Sequence, residues 1–160
     1  MEPMNRTRAR SAPALPRAIG RGLTVFTVLC ALAAPASAAT LHVVVQGVRN
    51  DEGVMRLCLW SSPAGFPDCT NDAARRENKP AVAGEMRFVL GAVPPGIYAV
   101  TVFHDERDTG KVETNFLGIP RSGLGASNNP KARFGPPSFN DAAFRLGETD
   151  GQITLRMVYP

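Results

Sequence analysis

The chain has 160 residues, 44% of them hydrophobic, and a formal charge of +4 from 18 Lys and Arg against 14 Asp and Glu. Five of those cations and one of those acids fall in the first 38 residues, which leaves 13 of each in the rest and a net charge of zero. A neutral remainder argues against partners held by overall positive charge, so no nucleic acid is expected and an anionic membrane loses its main support.

Residues 1–38 read as a cleaved signal peptide. Arg6, Arg8, Arg10, Arg17 and Arg21 form a basic front end, an apolar run follows over 23–34, and Ala36-Ser37-Ala38 has the small-x-small form of a signal-peptidase site. The run is too short to stay in a bilayer, since a transmembrane helix needs about 20 apolar residues. Leu29 stands before Cys30 where a lipoprotein signal needs a small residue, and no adjacent Arg pair precedes the run, which favours general secretion over the twin-arginine route. The expectation is export to the periplasm or beyond, with cleavage near Ala38 and a single domain over 39–160 that has no transmembrane segment. In an oxidising compartment Cys58 and Cys69 suit a disulfide, worth about 2–3 kcal/mol in the chain-entropy model. A metal pair or a redox couple is the alternative, but His42 and His104 are the only histidines available to complete a metal set.

Along the domain, six segments alternate apolar and polar residues with period two, the pattern of half-buried strands. Leu41, Val43 and Val45 point one way in the first, and Met55, Leu57 and Leu59 in the second, with Cys58 and Trp60 opposite. Residues 61–84 read as a proline-containing excursion with a short helix around 72–77. Met86, Phe88 and Leu90 line a third strand, Val93-Pro94-Pro95-Gly96 turns the chain, and Tyr98, Val100, Val102 and His104 share one face of a fourth. Phe144 and Leu146 begin a fifth, and Ile153, Leu155, Met157 and Tyr159 face inward on the last. Short strands with one apolar face need a second sheet, so the fold class is all-β: an antiparallel β-sandwich, immunoglobulin-like or transthyretin-like.

Between the fourth and fifth strands, from His104 to Phe144, periodicity vanishes while Gly, Pro, Asn and Asp abound. A long aperiodic stretch inside a compact domain is disordered or functional. Phe116, Phe134, Phe139 and Phe144 read as anchors that order it. Its acidic start resembles a calcium-loop frame, with Asp105, Gly110, Val112 and Glu113 at positions one, six, eight and nine. Asp105, Asp108 and Glu113 are then the metal ligands, but Arg107 at position three offers no oxygen and Phe116 stands at position twelve. The competing reading is an acidic turn that bonds its own backbone.

The residues from His104 onward also resemble a known family. Its members carry His-Asp-x-Asn-x-Asn-Gly-Lys-x-Asp-Thr-Asn, then Phe-x-Gly-x-Pro, then Ser-Asn-Asn, then Phe-Gly-Pro-Pro-Ser-Phe. Here His104, Asp105, Gly110, Lys111, Thr114, Asn115, Phe116, Gly118 and Pro120 match, as do Ser127, Asn128, Asn129 and the run from Phe134 to Phe139. This is similar to the exported bacterial proteins grouped as domain-of-unknown-function family 2141. The resemblance implies export and an unassigned function, and it supplies no catalytic residues. Arg107 and Thr109 stand where the family has Asn, and Glu113 where it has Asp, so any cation held by relatives would lose two oxygen ligands here.

An enzyme needs a nucleophile or base beside an orienting group. A hydrolase-like reading would use His104 with Ser127 or Ser138, in no recognised spacing. The leading expectation is a non-enzymatic exported module, without a cofactor, whose loop over 104–140 is an ordered cap or binding rim. Its candidate binding residues are His104, Asp105, Asn115, Asn128 and Asn129, and its partner would be a glycan, a peptide or an envelope protein.

Overall fold

The computed structural model describes residues 38–69, 75–131 and 135–160. The expected leader lies outside the described residues, as does Phe134. Two sheets form. Strand β1 (Ala39–Val48) lies between β4 (Gly84–Val93) and β8 (Gly151–Arg156) in the first. The second runs β3 (Arg75–Pro80), β2 (Val54–Trp60), β5 (Gly96–Asp105), β6 (Gly123–Ala126), and β7 (Phe144–Leu146) pairs with the start of β5.

The alternating residues do what their period demands. Leu41 lies opposite Leu90, and Val43 opposite both Phe88 and Ile153, so the apolar rows of the first sheet coincide. In the second sheet Leu57 pairs with Val102 and Leu59 with Val100. These rows face each other in one core that excludes water from Leu41, Val45, Met55, Leu57, Leu90, Val100 and Leu155. Full burial of each such side chain is worth about 1.5–3 kcal/mol. A smaller cluster on the outer face of the second sheet joins Cys58, Trp60, Ala99 and Ala142. Trp60 donates its indole N–H to Thr101 Oγ1 there, at 2.9 Å.

The expected all-β sandwich of two antiparallel-rich sheets is present, with one exception: β8 runs parallel to β1, a direction that a period-two pattern does not encode. Two expectations need correction. No helix covers 75–77: Arg75, Arg76 and Glu77 belong to β3, an edge strand that pairs with β2, while 70–74 lie outside the described residues. The loop from 104 to 144 holds two further elements, β6 and a single helical turn α1 (Phe139–Ala142). Ser138 caps that turn through a reciprocal pair of bonds with Asp141. Among the described residues no helix is long and apolar enough to cross a membrane.

Candidate functional site

His104 ends the inward row of β5 and is completely buried. Its Nε2 lies 2.7 Å from the carbonyl oxygen of Glu52, and its Nδ1 lies 2.9 Å from the hydroxyl of Tyr159. A carbonyl only accepts, so Nε2 carries a proton and donates to Glu52, while Nδ1 shares the second bond with the Tyr159 hydroxyl. Tyr159 in turn accepts the backbone N–H of Arg49 at 3.1 Å, and the Arg49 guanidinium lies over the Tyr159 ring. Burial pushes the Tyr159 phenol up, partly offset by the Arg49 N–H. The same guanidinium grips both oxygens of Glu106, which also accepts from Asn50 Nδ2. The Arg49 bonds hold the Glu106 carboxyl below its usual range against the opposing effect of burial. Both ring nitrogens of His104 are therefore engaged inside the protein. The two serines read beside it lie elsewhere: Ser127 bonds Val100 and Ala142, and Ser138 caps α1.

One residue on, Asp105 organises the acidic turn. Its side chain is fully buried. One oxygen accepts the backbone N–H of Thr109 at 2.9 Å; the other accepts those of Gly110 at 2.7 Å and Arg56 Nε at 2.8 Å. Burial alone would raise this carboxyl, but the Thr109 and Gly110 amides and then Arg56 outweigh it and hold the pKa down. Arg56 also pairs with Asp108, and Arg107 with Glu113. The three acids read as calcium ligands thus bond two different arginines and do not meet at one point. Among the described residues no group of three or more His, Cys, Asp or Glu side chains is arranged to hold a metal. Positive φ angles at Asp108 (52°) and Gly110 (80°) close the turn.

The Ser-Asn-Asn run fastens the far side of the loop. Ser127 exchanges bonds with the backbone of Val100 and donates its hydroxyl to the Ala142 carbonyl. Asn128 donates to the Ala143 carbonyl at 2.7 Å. Asn129 donates to the Thr154 carbonyl at 3.1 Å and accepts the Arg156 N–H at 2.7 Å. That is the pairing a neighbouring strand would offer, so one amide side chain covers part of the β8 edge. Both asparagines have positive φ, 63° and 48°, which Asn tolerates better than most residues.

Between these two anchors a hairpin projects over 113–121. Its arms meet at the Thr114–Pro120 bridge and at the Arg121 N–H bond to the Glu113 carbonyl, 2.7 Å. At the tip Asn115 Oδ1 accepts the amides of Leu117 and Ile119, at 2.9 and 3.0 Å. The Asn115 amide donates to the Ile119 carbonyl, and the Gly118 amide to the Asn115 carbonyl, both at 2.9 Å. With the backbone turned inward the side chains turn out: Phe116 is 94% exposed, Leu117 68% and Ile119 49%. Phe116 is not the anchor that sequence suggests. Phe139 and Phe144 are: Phe139 stands edge-on to Phe66, with centroids 5.8 Å apart, and Phe144 packs on the main core.

Cys58 and Cys69 form the expected disulfide, with Cα atoms 5.9 Å apart, and tie the 61–69 segment to β2. A depression of about 240 Å³ lined by Leu59, Val93 and Tyr98 opens beside the start of β5, remote along that strand from His104. Arg75 on its wall already bonds Glu77 and the Gly91 carbonyl. Of the five candidate binding residues, His104 and Asp105 adjoin, Asn128 and Asn129 form a second group, and Asn115 a third. The polar side chains of all five bond the protein itself. Sequence reasoning missed Arg56, Tyr159 and the apolar tip. Tyr159 had a signal in its inward parity, whereas Arg56 is separated from Asp105 by 49 positions and had none.

A family profile described as an uncharacterized protein conserved in bacteria (DUF2141) matches residues 43–154. No curated protein and no solved structure matches the chain.

Proposed function

The chain belongs to the bacterial DUF2141 family, and we propose that it serves as a non-enzymatic binding module outside the cytoplasm, with the hairpin tip over 115–119 as its contact surface. The observation that carries this is the contrast within one loop. Its polar side chains bond the protein's own backbone, while Phe116, Leu117 and Ile119 face solvent on a turn that Asn115 holds. Exposed aromatic and aliphatic residues gathered on a braced turn have no role in the core and suit a partner's surface. The buried, doubly bonded His104 supports a structural strut rather than a base. The Arg56 guanidinium between Asp105 and Asp108 supports a loop that keeps its shape without calcium.

Export rests on the basic-apolar-small leader, the disulfide and the bacterial family. The protein expressed from its full sequence should be recovered with an N-terminus near Ala39; a cytoplasmic form that begins at Met1 would overturn export. The binding role is tested with isolated bacterial envelopes. Wild type should sediment with them, and the double variant Phe116→Ser, Leu117→Ser should stay in solution with an unchanged melting temperature. Equal sedimentation of the two proteins would defeat the proposal.

A further inference from the structure

The preceding reading leaves the partner open, and resting on it, we infer that the 115–119 tip docks on a lipid surface bearing anionic headgroups. Three features of the hairpin point there. The first is the state of its backbone. Four of the five amides from Asn115 to Ile119 are satisfied within the hairpin, by the Asn115 side chain and carbonyl and by the Ile119 carbonyl. A backbone that enters the edge of a bilayer must be bonded internally, because hydrocarbon supplies no partners. A protein partner would more usually draw on free polar groups, about one hydrogen bond per 100–200 Å² of contact, and the tip offers few.

The second feature is shape. The apolar residues stand on a protruding turn, with Phe116 94% exposed, and not in a groove that a peptide would fill. The third is charge. Every acidic side chain over 105–113 sits in an arginine pair: Asp105 and Asp108 with Arg56, Glu106 with Arg49, and Glu113 with Arg107. Lys111 and Arg121 flank the hairpin, are exposed, and have no ion-pair partner among the described residues. Arg56 serves two of these carboxylates, so the four acids and three arginines sum to −1, and Lys111 and Arg121 turn the local balance to +1 at the base of the hairpin. The neutral total for the domain conceals this local positive excess.

Flotation with protein-free vesicles tests the inference. Wild type should float with vesicles of phosphatidylcholine containing about one-third phosphatidylglycerol and much less with phosphatidylcholine alone. Each cation near an anionic surface is worth about a five-fold change in partition, so Lys111→Glu with Arg121→Glu should lower it at least 25-fold on anionic vesicles. Phe116→Ser with Leu117→Ser should abolish flotation on both compositions. Phe116→Trp should float, and its added fluorescence should shift to the blue and be quenched by brominated lipid, whereas the buried Trp60 should not respond. Tip-dependent binding to envelopes without flotation on any vesicle would overturn the lipid assignment and leave the binding module standing, with a protein or glycan as partner. Absence of both would remove the two together.

Discussion

Replacing Asp105 with Ala removes the acceptor of four donors at once: the Thr109 and Gly110 amides, the Thr109 hydroxyl and Arg56 Nε. The carboxylate is fully buried, and the Arg56 side chain is 20% exposed and keeps Asp108 as a partner. Thr109 and Gly110 are exposed residues, so water takes over part of the lost bonding at about 1 kcal/mol per amide, and the arginine recovers part of its loss through water and Asp108. The total is about 2–4 kcal/mol, a large share of the 5–15 kcal/mol typical of a domain. At about 4 °C per kcal/mol for this size, the melting temperature should fall by about 8–16 °C in a circular-dichroism melt. Arg56→Met should cost less. Combined with Asp105→Ala it should show a coupling of about 1–3 kcal/mol in urea titrations. A loss below about 1 kcal/mol for Asp105→Ala, or additive effects in the double variant, would refute the view that this pair organises the turn.

Gly123→Ala should destabilise by about 1–3 kcal/mol, read from urea unfolding, because a Cβ there would lie 2.2 Å from the Tyr159 ring and force it off His104. Asp105 and Glu106 both have folded-state pKa values below their unfolded ones. Fewer protons are then bound folded than unfolded, so their stabilisation is whole above the unfolded values near 4 and is lost as pH falls through the lower folded values. Urea midpoints should be flat from about pH 7 to 5 and drop below about pH 4, with a smaller drop in Asp105→Asn. Calcium at millimolar concentration or an excess of EDTA should move the melting temperature by less than about a degree, since Arg56 already occupies the space between Asp105 and Asp108.

What was legible follows from what period two encodes. Strands β1, β2, β4 and β5 announce themselves through alternating large apolar residues, and these form the core. Strand β3, Arg-Arg-Glu-Asn-Lys-Pro, has no apolar row; it exists because the β2 edge is open to pairing, which is a tertiary cause. Strand β6 is short and glycine-rich for a related reason. Gly123 and Gly125 make room for Tyr159 and Leu155, so the contact is made by the missing side chain. The loop's Asn and Asp residues are easily read as a binding rim, since these side chains serve ligands and backbones alike. Only the folded chain decides which oxygen meets which amide. Sequence places Phe116 inside because an aromatic residue is usually buried, and the Asn115 turn reverses that preference locally.

Amide hydrogen exchange, read residue by residue in the native protein, tests the central claim that one braced loop projects one bare tip. The amides of Thr109, Gly110, Leu117, Ile119 and Arg156 each donate to a side-chain oxygen of Asp105, Asn115 or Asn129. All five should be slowed well below free-peptide rates, and Asn115→Ala should release Leu117 and Ile119 while Thr109 and Arg156 stay protected. Free-peptide rates across 105–121 in the wild type would contradict the account.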